Sequence, residues 1–217
     1  MKTIAIIPAR GGSKRLPGKN TMLLGGIPLL VHSILFAQQQ DAITAVYVST
    51  DDAHIKEVAL HYGAQVIDRP SELSGDLEPT VSALKHVLAS LTEKVDTVVV
   101  LQPTNPLRPE NLFHEAWQVF TKNQVASLFT VSQSHQKLGK IKEAVFIPFN
   151  YKPGQRSQDL EPLYYENGLL YIASAQAILN NEIITKDAFP FVVDHPFARV
   201  DIDTQDDFDY AVFLLGR

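Results

Sequence analysis

The chain is predicted to fold as a doubly wound α/β domain on a mostly parallel sheet, and three observations predict it. Apolar runs such as Thr3 to Ile7 and Thr97 to Leu101 are nearly continuous rather than alternating, as expected of strands covered on both faces. Segments of helical period with cap residues at their ends lie between them. A long glycine-bearing loop follows the first strand directly, where sheets of this kind hold their ligands.

Taken in order, Thr3 to Ile7 is the first strand and Pro8 ends its ladder. Gly25, Gly26 and Pro28 lead into a helix over 28–39, where Leu29, Leu30, Ile34, Leu35 and Ala37 recur with helical spacing. Ala45 to Ser49 reads as a buried strand, and Asp51 or Asp52 caps a helix over 53–62 that Gly63 ends. A short strand at 65–67, a helix at 79–91 and the apolar strand at 97–101 follow. Pro109, in a first helical turn, opens a helix over 110–121, and 125–131 is strand-like. Further on come a strand at 168–173, a helix at 174–180, an apolar run at 189–193 and a last helix at 205–215, capped by Thr204 or Asp203. Alternation at these lengths means βαβ units, so the loops after Ile7, Ser49, Ile67 and Leu101 converge at the carboxyl ends of the strands.

The alternation breaks between Ser132 and Tyr165. This stretch is basic, contains three prolines, and has one apolar patch, Ala144 to Phe149, but no helical pattern. A loop this long within one domain is functional or disordered. An edge hairpin at the patch is a liability if left bare, and burial against another subunit removes it. We therefore expect one domain over 1–217 with an arm at 133–165.

Composition narrows the function. With 217 residues, 45% of them apolar and 20% charged, the chain can bury a full core. A net charge of −5 argues against a nucleic acid polymer as partner. There is no cysteine, hence no disulfide or thiolate chemistry, which suits a cytoplasmic location. The opening apolar stretch is too short for a signal h-region, and no run reaches the length of a membrane span, so a soluble protein is expected. The seven histidines have no ligand-like spacing, which leaves zinc improbable.

Residues 9–20 hold three glycines, four cations (Arg10, Lys14, Arg15, Lys19) and Ser13. Such a loop expects anions: Gly11 and Gly12 let the backbone approach a ligand, and the cations give charge-assisted bonds to phosphate. It is neither of the common phosphate loops. Five residues separate Gly12 from Gly18 and Asn20 follows Lys19, which breaks the P-loop spacing, and no G-x-G-x-x-G opens a helix. The pattern P-A-R-G-G-S-K-x-x-P-G-K-N resembles the signature of the sugar nucleotidyltransferases, in the form found in acylneuraminate cytidylyltransferases.

Two carboxylates, Asp201 and Asp203, lie two apart on what reads as extended backbone and so point to one side, a geometry suited to one hard divalent ion completed by phosphate oxygens and water. Beside a triphosphate loop they suggest Mg²⁺, and the resemblance implies the same metal role. Leu101 to Arg108 (LQPTNPLR) resembles the family's Q-P-T-S-P-L-R, with Asn105 in place of Ser. Gln102 can donate and accept, which suits a ribose or a sugar. Asp68-Arg69-Pro70 also matches the family, which implies an Arg facing the nucleotide; the residues alone allow an ion pair equally well. A third stretch, Gln155 to Leu160 with Tyr164 to Gly168 and Tyr171, suits a 2-keto sugar acid, whose carboxylate and hydroxyls call for a guanidinium and several amides. There Ser157 stands where the family often has a second Arg, and Glu166 precedes Asn167-Gly168.

The resemblance implies a Rossmann-like nucleotide-diphospho-sugar transferase fold and transfer of CMP from CTP to the anomeric hydroxyl of a nonulosonic acid, sialic, legionaminic or pseudaminic, releasing pyrophosphate. Arg10, Lys19 and Asp203 are the expected catalytic residues, with Lys14 and Arg15 secondary. The nucleotide contacts are Ala9, Arg10, Gly11, Ser13, Lys19, Asn20, Arg69 and Gln102. The sugar contacts are Gln102, Thr104, Arg156, Gln158, Asn167 and Tyr171, and the metal ligands Asp201 and Asp203. The resemblance also implies a homodimer, with the arm, through Lys137 or Lys140, reaching toward the partner's site. Another nucleotide or acceptor, or a nucleotide-binding regulator without turnover, are the rival readings.

Overall fold

A computed structural model describes residues 1–216. The elements run β1 (Thr3–Pro8), a hairpin of β2 (Leu23–Leu24) and β3 (Ile27–Pro28), α1 (Leu29–Gln38), β4 (Ala45–Thr50), α2 (Ala53–His61) and β5 (Gln65–Asp68). Next come α3 (Thr80–Ser90), β6 (Thr97–Val100), α4 (Leu112–Asn123), β7 (Ser127–Ser134) and a second hairpin of β8 (Gly139–Lys142) and β9 (Val145–Pro148). β10 (Leu163–Ser174), α5 (Ala175–Leu179), β11 (Phe189–Val192) and α6 (Gln205–Leu215) complete it.

Seven strands form one sheet in the order β11-β7-β10-β6-β1-β4-β5. The central strands are apolar throughout because both faces are covered. Ala5 and Ile7 of β1 pack with Val99, Leu101 and residues of α1, α2 and α4 on one side, while Ile4 and Ile6 pack with Val98, Val100 and residues of α3 and α5 on the other. A third cluster, of Leu24, Leu29, Leu107, Ile202, Phe208 and Leu214, seats α6 on the β2-β3 hairpin. The chain leaves β1 toward β4 on one side and returns to β6 on the other. The resulting crevice beyond the carboxyl ends is where such sheets bind ligands.

β10 alone runs against its neighbours, antiparallel to both β6 and β7. The reason lies in the connection before it. A parallel return needs a crossover to the far edge, usually a helix, and no α-helix forms between β7 and β10. The chain therefore re-enters at the carboxyl end where it left, and the first half of β10 lies over the crevice. β10 also begins five residues before the expected strand, β7 extends to Ser134, and α4 starts at Leu112, with Pro109 three residues ahead of it. Asp52, not Asp51, caps α2, its carboxylate accepting from Ile55 N–H at 2.9 Å. Thr204 caps α6 in a reciprocal box with Asp207.

The loop after β6 is clasped by two buried polar side chains. Arg108 donates to Leu169 O at 2.7 Å, Ser33 Oγ at 3.0 Å and Gln102 O at 3.0 Å, and its guanidinium lies 5.3 Å from the Phe36 ring centre. Burial pulls this guanidinium down to about 9, still charged at neutral pH. Asn105 Nδ2 donates to Asn167 O and Val200 O at 3.0 and 2.8 Å, and Ile202 N–H donates to Thr104 O at 2.8 Å. Gly168 sits at φ +77°, and a Cβ there would meet Asn105 Oδ1 at 2.6 Å, so glycine is required on both counts. Loop, bulged strand and the segment before α6 are thus tied together.

Replacing Arg108 by Met should cost about 3 kcal/mol, because buried carbonyls lose their donor. The midpoint of urea unfolding measures this, and an unchanged midpoint would contradict the clasp.

Candidate active site

The glycine loop is braced from below before it meets any ligand. Ala9 N–H donates to Ser49 O at 3.0 Å, Gly11 N–H to Asp51 Oδ1 at 3.0 Å, and the buried Asn20 amide to Arg10 O at 3.0 Å. A Cβ on Gly11 would stand 2.8 Å from Asp52 Oδ2, so this glycine serves the packing of loop on loop. Around Gly12 there is open space. Ser13 N–H turns back to Gly11 O at 2.9 Å, and among the described residues Gly12 N–H has no acceptor.

All four cations of the loop are paired, and two carboxylates share them. Arg10 donates to Gly75 O at 2.8 Å and pairs with Asp76 at 3.1 Å, and Lys14 binds the other oxygen of Asp76. The Lys14 hydrogen bond, with Arg10 in support, holds the Asp76 carboxyl below its ordinary range. Arg15 pairs with Asp203 Oδ2 at 2.6 Å, and Lys19 with Asp203 Oδ1 at 2.8 Å. Lys19 also donates to Ile202 O at 2.9 Å. Two carboxylates thus hold all four cations, while Asp51 takes the Gly11 amide, so the loop's donors are grouped at one place.

Asp201 lies on the same short segment, at the mouth of a large cavity. Partial burial of its carboxyl pushes its pKa up; a Thr104 hydrogen bond and the nearby Lys19 oppose this, and Asp203 adds to it. Among the described residues, Asp201 has no cation within ion-pair distance, and no three acidic or imidazole side chains gather as a ready-made metal site. Two carboxylates, one of them without a counter-ion, fit Mg²⁺, which commonly takes one or two protein carboxylates and completes its shell with phosphate and water.

Two cavities flank this centre. One of about 230 Å³ is lined by Pro8, Arg10, Arg69, Asp76, Gln102 and Thr104 among others. Arg69 is anchored in its wall by Ser49, donating to Oγ at 3.0 Å and to O at 2.6 Å, and burial lowers its pKa. It forms no ion pair with Asp68, which binds Lys56 instead. The other cavity, about 880 Å³, is lined by Tyr164, Tyr165, Glu166, Asn167, Arg199 and Asp201 among others. Gln102, Tyr171 and Glu166 form a hydrogen-bonded file between the two: Tyr171 donates to Glu166 Oε1 at 2.5 Å, and Gln102 Nε2 donates to the Tyr171 oxygen at 3.4 Å.

The structure therefore gathers Ala9, Arg10, Gly11, Ser13, Lys19, Asn20, Arg69, Gln102, Thr104, Tyr171, Asp201 and Asp203 around one crevice. Asn167 lines the large cavity, but its amide is bonded within the fold, to Ser132 Oγ at 2.9 Å and Leu169 N–H at 3.2 Å. Arg156 and Gln158 lie in the arm, where Arg156 is closed on Asp159 at 2.8 and 3.1 Å and Gln158 lines a separate hollow beside Gln133 and His135. Neither touches the crevice of its own chain. Asp51, Asp76 and Glu166 are additions. Asp51 and Asp76 meet their partners 40 or more residues away in sequence, so no local pattern marks them. Glu166 is marked only by standing beside Asn167-Gly168.

Comparison with known proteins places these features in context. The family model described as Cytidylyltransferase matches residues 4–215. The chain is 37% identical over 221 residues to the CMP-N,N'-diacetyllegionaminic acid synthase of Legionella pneumophila, covering 94% of this chain and 92% of that protein. It is 32% identical over 220 residues to the N-acylneuraminate cytidylyltransferase of Streptococcus agalactiae, covering 98% of this chain and 53% of that one, so it spans about half the latter's length. The solved structure of a CMP:2-keto-3-deoxy-manno-octonic acid synthetase complexed with CTP superposes with a TM-score of 0.74 at 18% identity, covering 100% of this chain and 99% of that one, a likeness of fold.

Asp76→Asn should free Arg10 and Lys14 and so lower the KM for a nucleoside triphosphate by roughly threefold, within what one exposed ion pair provides. A raised KM would mean that Asp76 helps to hold the ligand rather than standing in its place.

Proposed function

The chain belongs to the cytidylyltransferase family, and we propose that it transfers CMP from CTP to the anomeric hydroxyl of a nonulosonic acid, with release of pyrophosphate. The observation that carries this reading is the pairing of Asp203 with both Lys19 and Arg15, which sets an acidic couple against the phosphate loop. Its relatives by sequence are named for legionaminic and N-acylneuraminic acid, which supports an acceptor of that class.

In this mechanism the anomeric oxygen attacks the α-phosphorus, the new phosphorus–oxygen bond forms, and the bond to the bridging oxygen breaks so that pyrophosphate leaves with the electron pair. Such chemistry asks a protein for alignment and charge neutralisation. Arg10, Lys14 and the Gly12 amide would bind the outer phosphates, with Asp76 giving up its place. Lys19 sits deepest of the four cations, its side chain 13% exposed, and would stabilise charge on the departing group. Arg69 and the smaller cavity suit the nucleoside, and the larger cavity suits the sugar acid, with Gln102, Thr104 and Tyr171 at the border where the two substrates would meet. Asp201 and Asp203 would hold Mg²⁺, which when bound offsets the negative charge that resists attack on phosphorus.

The arm extends this reading to a homodimer. The hairpin of β8 and β9 forms its own two-stranded sheet and exposes apolar side chains, Ile141 at 78% and Val145 at 61%. Packing against a second copy would cover them, and would carry Arg156, Gln158 and Lys140 toward the partner's crevice. Lys137 is the weaker candidate, since it is held by Gln155 O and lies 5.4 Å from the Tyr151 ring centre. No described helix is long and apolar enough to cross a membrane, and a CTP-dependent reaction suits the cytoplasm.

With Mg²⁺, CTP and a panel of sialic, legionaminic and pseudaminic acids, the protein should release pyrophosphate, and EDTA should abolish it; CTP binding without release for any acceptor would overturn the assignment. Asp203→Asn should lower kcat by roughly a hundredfold or more with far-ultraviolet dichroism unchanged. Light scattering should give twice the chain mass, and a monomer would count against the arm's role.

A further inference from the structure

Glu166 and Tyr171 are five residues apart on one strand. On regular extended backbone they would face opposite sides and lie roughly 16 Å apart. Here the Tyr171 hydroxyl and Glu166 Oε1 are 2.5 Å apart. The strand is bulged between them: Glu166 pairs with Val131 and Tyr171 with Phe129, so five residues of β10 span two of β7, and Gly168 turns at φ +77° within the bulge. Asn105 packs into that turn and ties it to Val200, the residue before Asp201. This contact is built into the fold and lies beside the acidic couple.

The chemistry of the three side chains dictates one direction of donation. A carboxylate only accepts, and a phenol has a single hydrogen. With that hydrogen committed to Glu166, the Tyr171 oxygen can only accept, so the end of Gln102 facing it must be the amide NH₂. The Gln102 carbonyl oxygen is thereby turned away from Tyr171; Gln102 itself stands at the border of the two cavities, lining the smaller one and joined through Tyr171 to Glu166 of the larger. Burial, and then the Glu166 bond, keep the phenol protonated. Without Glu166 the phenol could donate to Gln102 instead, and the amide would be free to flip.

We propose that Glu166 is a positioning residue that acts through Tyr171 to hold Gln102 in one amide orientation, so that the acceptor site presents a carbonyl oxygen to an N–H or O–H donor of the sugar. The inference rests on the cytidylyltransferase reading above and gives Glu166, which the sequence placed only within a stretch suited to the sugar acid, a specific part in acceptor recognition. Glu166 need not touch the substrate. Its effect is on which hydrogen-bond polarity the pocket offers, and a site built to pair a donor rejects an analogue that lacks one.

The test is steady-state kinetics with CTP and the best acceptor of the panel. Glu166→Ala and Tyr171→Phe should each raise the acceptor KM about tenfold, the worth of one hydrogen bond, with the KM for CTP within about twofold of wild type. The double variant should be no worse than either single one, because both cut the same relay. Glu166→Gln should stay near wild type, since its amide oxygen still accepts from Tyr171. An unchanged acceptor KM in Glu166→Ala, additive penalties, equal damage from Glu166→Gln, or an equal rise in the KM for CTP would each overturn the relay while leaving the functional reading intact. Wild-type protein that turns over no acceptor overturns the reading, and the relay with it.

Discussion

The Asp203 carboxylate is the tie on which the crevice depends. It joins Lys19 to a segment 184 residues further along the chain, and Arg15 to the same group from the other side. The pair is well set: Asp203 N–H and Thr204 N–H both donate to Asp207, so the α6 cap fixes the backbone that presents it. Lys19 follows Gly18 at φ +69°, in a short 3₁₀ turn that aims its side chain back under the loop. An ion pair at a surface contributes little, but this one is partly buried and reinforced by a bond to Ile202 O, so its geometry carries more than its energy. It holds the anion-binding loop and the acidic couple at one place.

A second constraint is the reversal of β10. Because the chain leaves β7 without a crossover helix, it must come back from the ligand side, and residues that would otherwise start a strand at the bottom of the sheet stand over the crevice. The bulge at Gly168 then turns an ordinary strand into a site wall. Among the described residues neither Asn105 nor Arg108 has a carboxylate partner, and their donors go to the carbonyls of Asn167, Val200, Leu169 and Gln102 and to Ser33 Oγ. Their role is to join three segments, which explains why asparagine suits a position where the resembling motif has serine: its amide reaches two carbonyls at once.

The loop cations illustrate a compromise between readiness and stability. Four uncompensated charges side by side would repel one another, and Asp76 and Asp203 relieve that at the cost of occupying part of the anion site. Asp76 belongs to an exposed segment, its side chain 39% exposed, whereas Asp203 is 28% exposed and its backbone is held by the α6 cap. The two carboxylates thus differ in how they are held: Asp76 by the loop cations, Asp203 also by the cap of α6.

Much of this was legible in the sequence. The continuous apolar runs, the helix caps, the glycines and cations of the first loop and the doublet Asp201-x-Asp203 are local patterns, and local sterics and solvation suffice to read them; even the last helix, Gln205–Leu215, has the limits its periodicity predicts. The partners were not legible. That Asp76 holds Arg10 and Lys14, that Asp51 takes the Gly11 amide, and that Glu166 meets Tyr171 across a bulge follow from contacts and strand register. Those are set by how the whole sheet closes. Chain-local chemistry thus determined what kinds of group are available, and tertiary structure alone decided which of them face one another, because an electrostatic or hydrogen-bonded partner is chosen by distance in space and not by spacing along the chain.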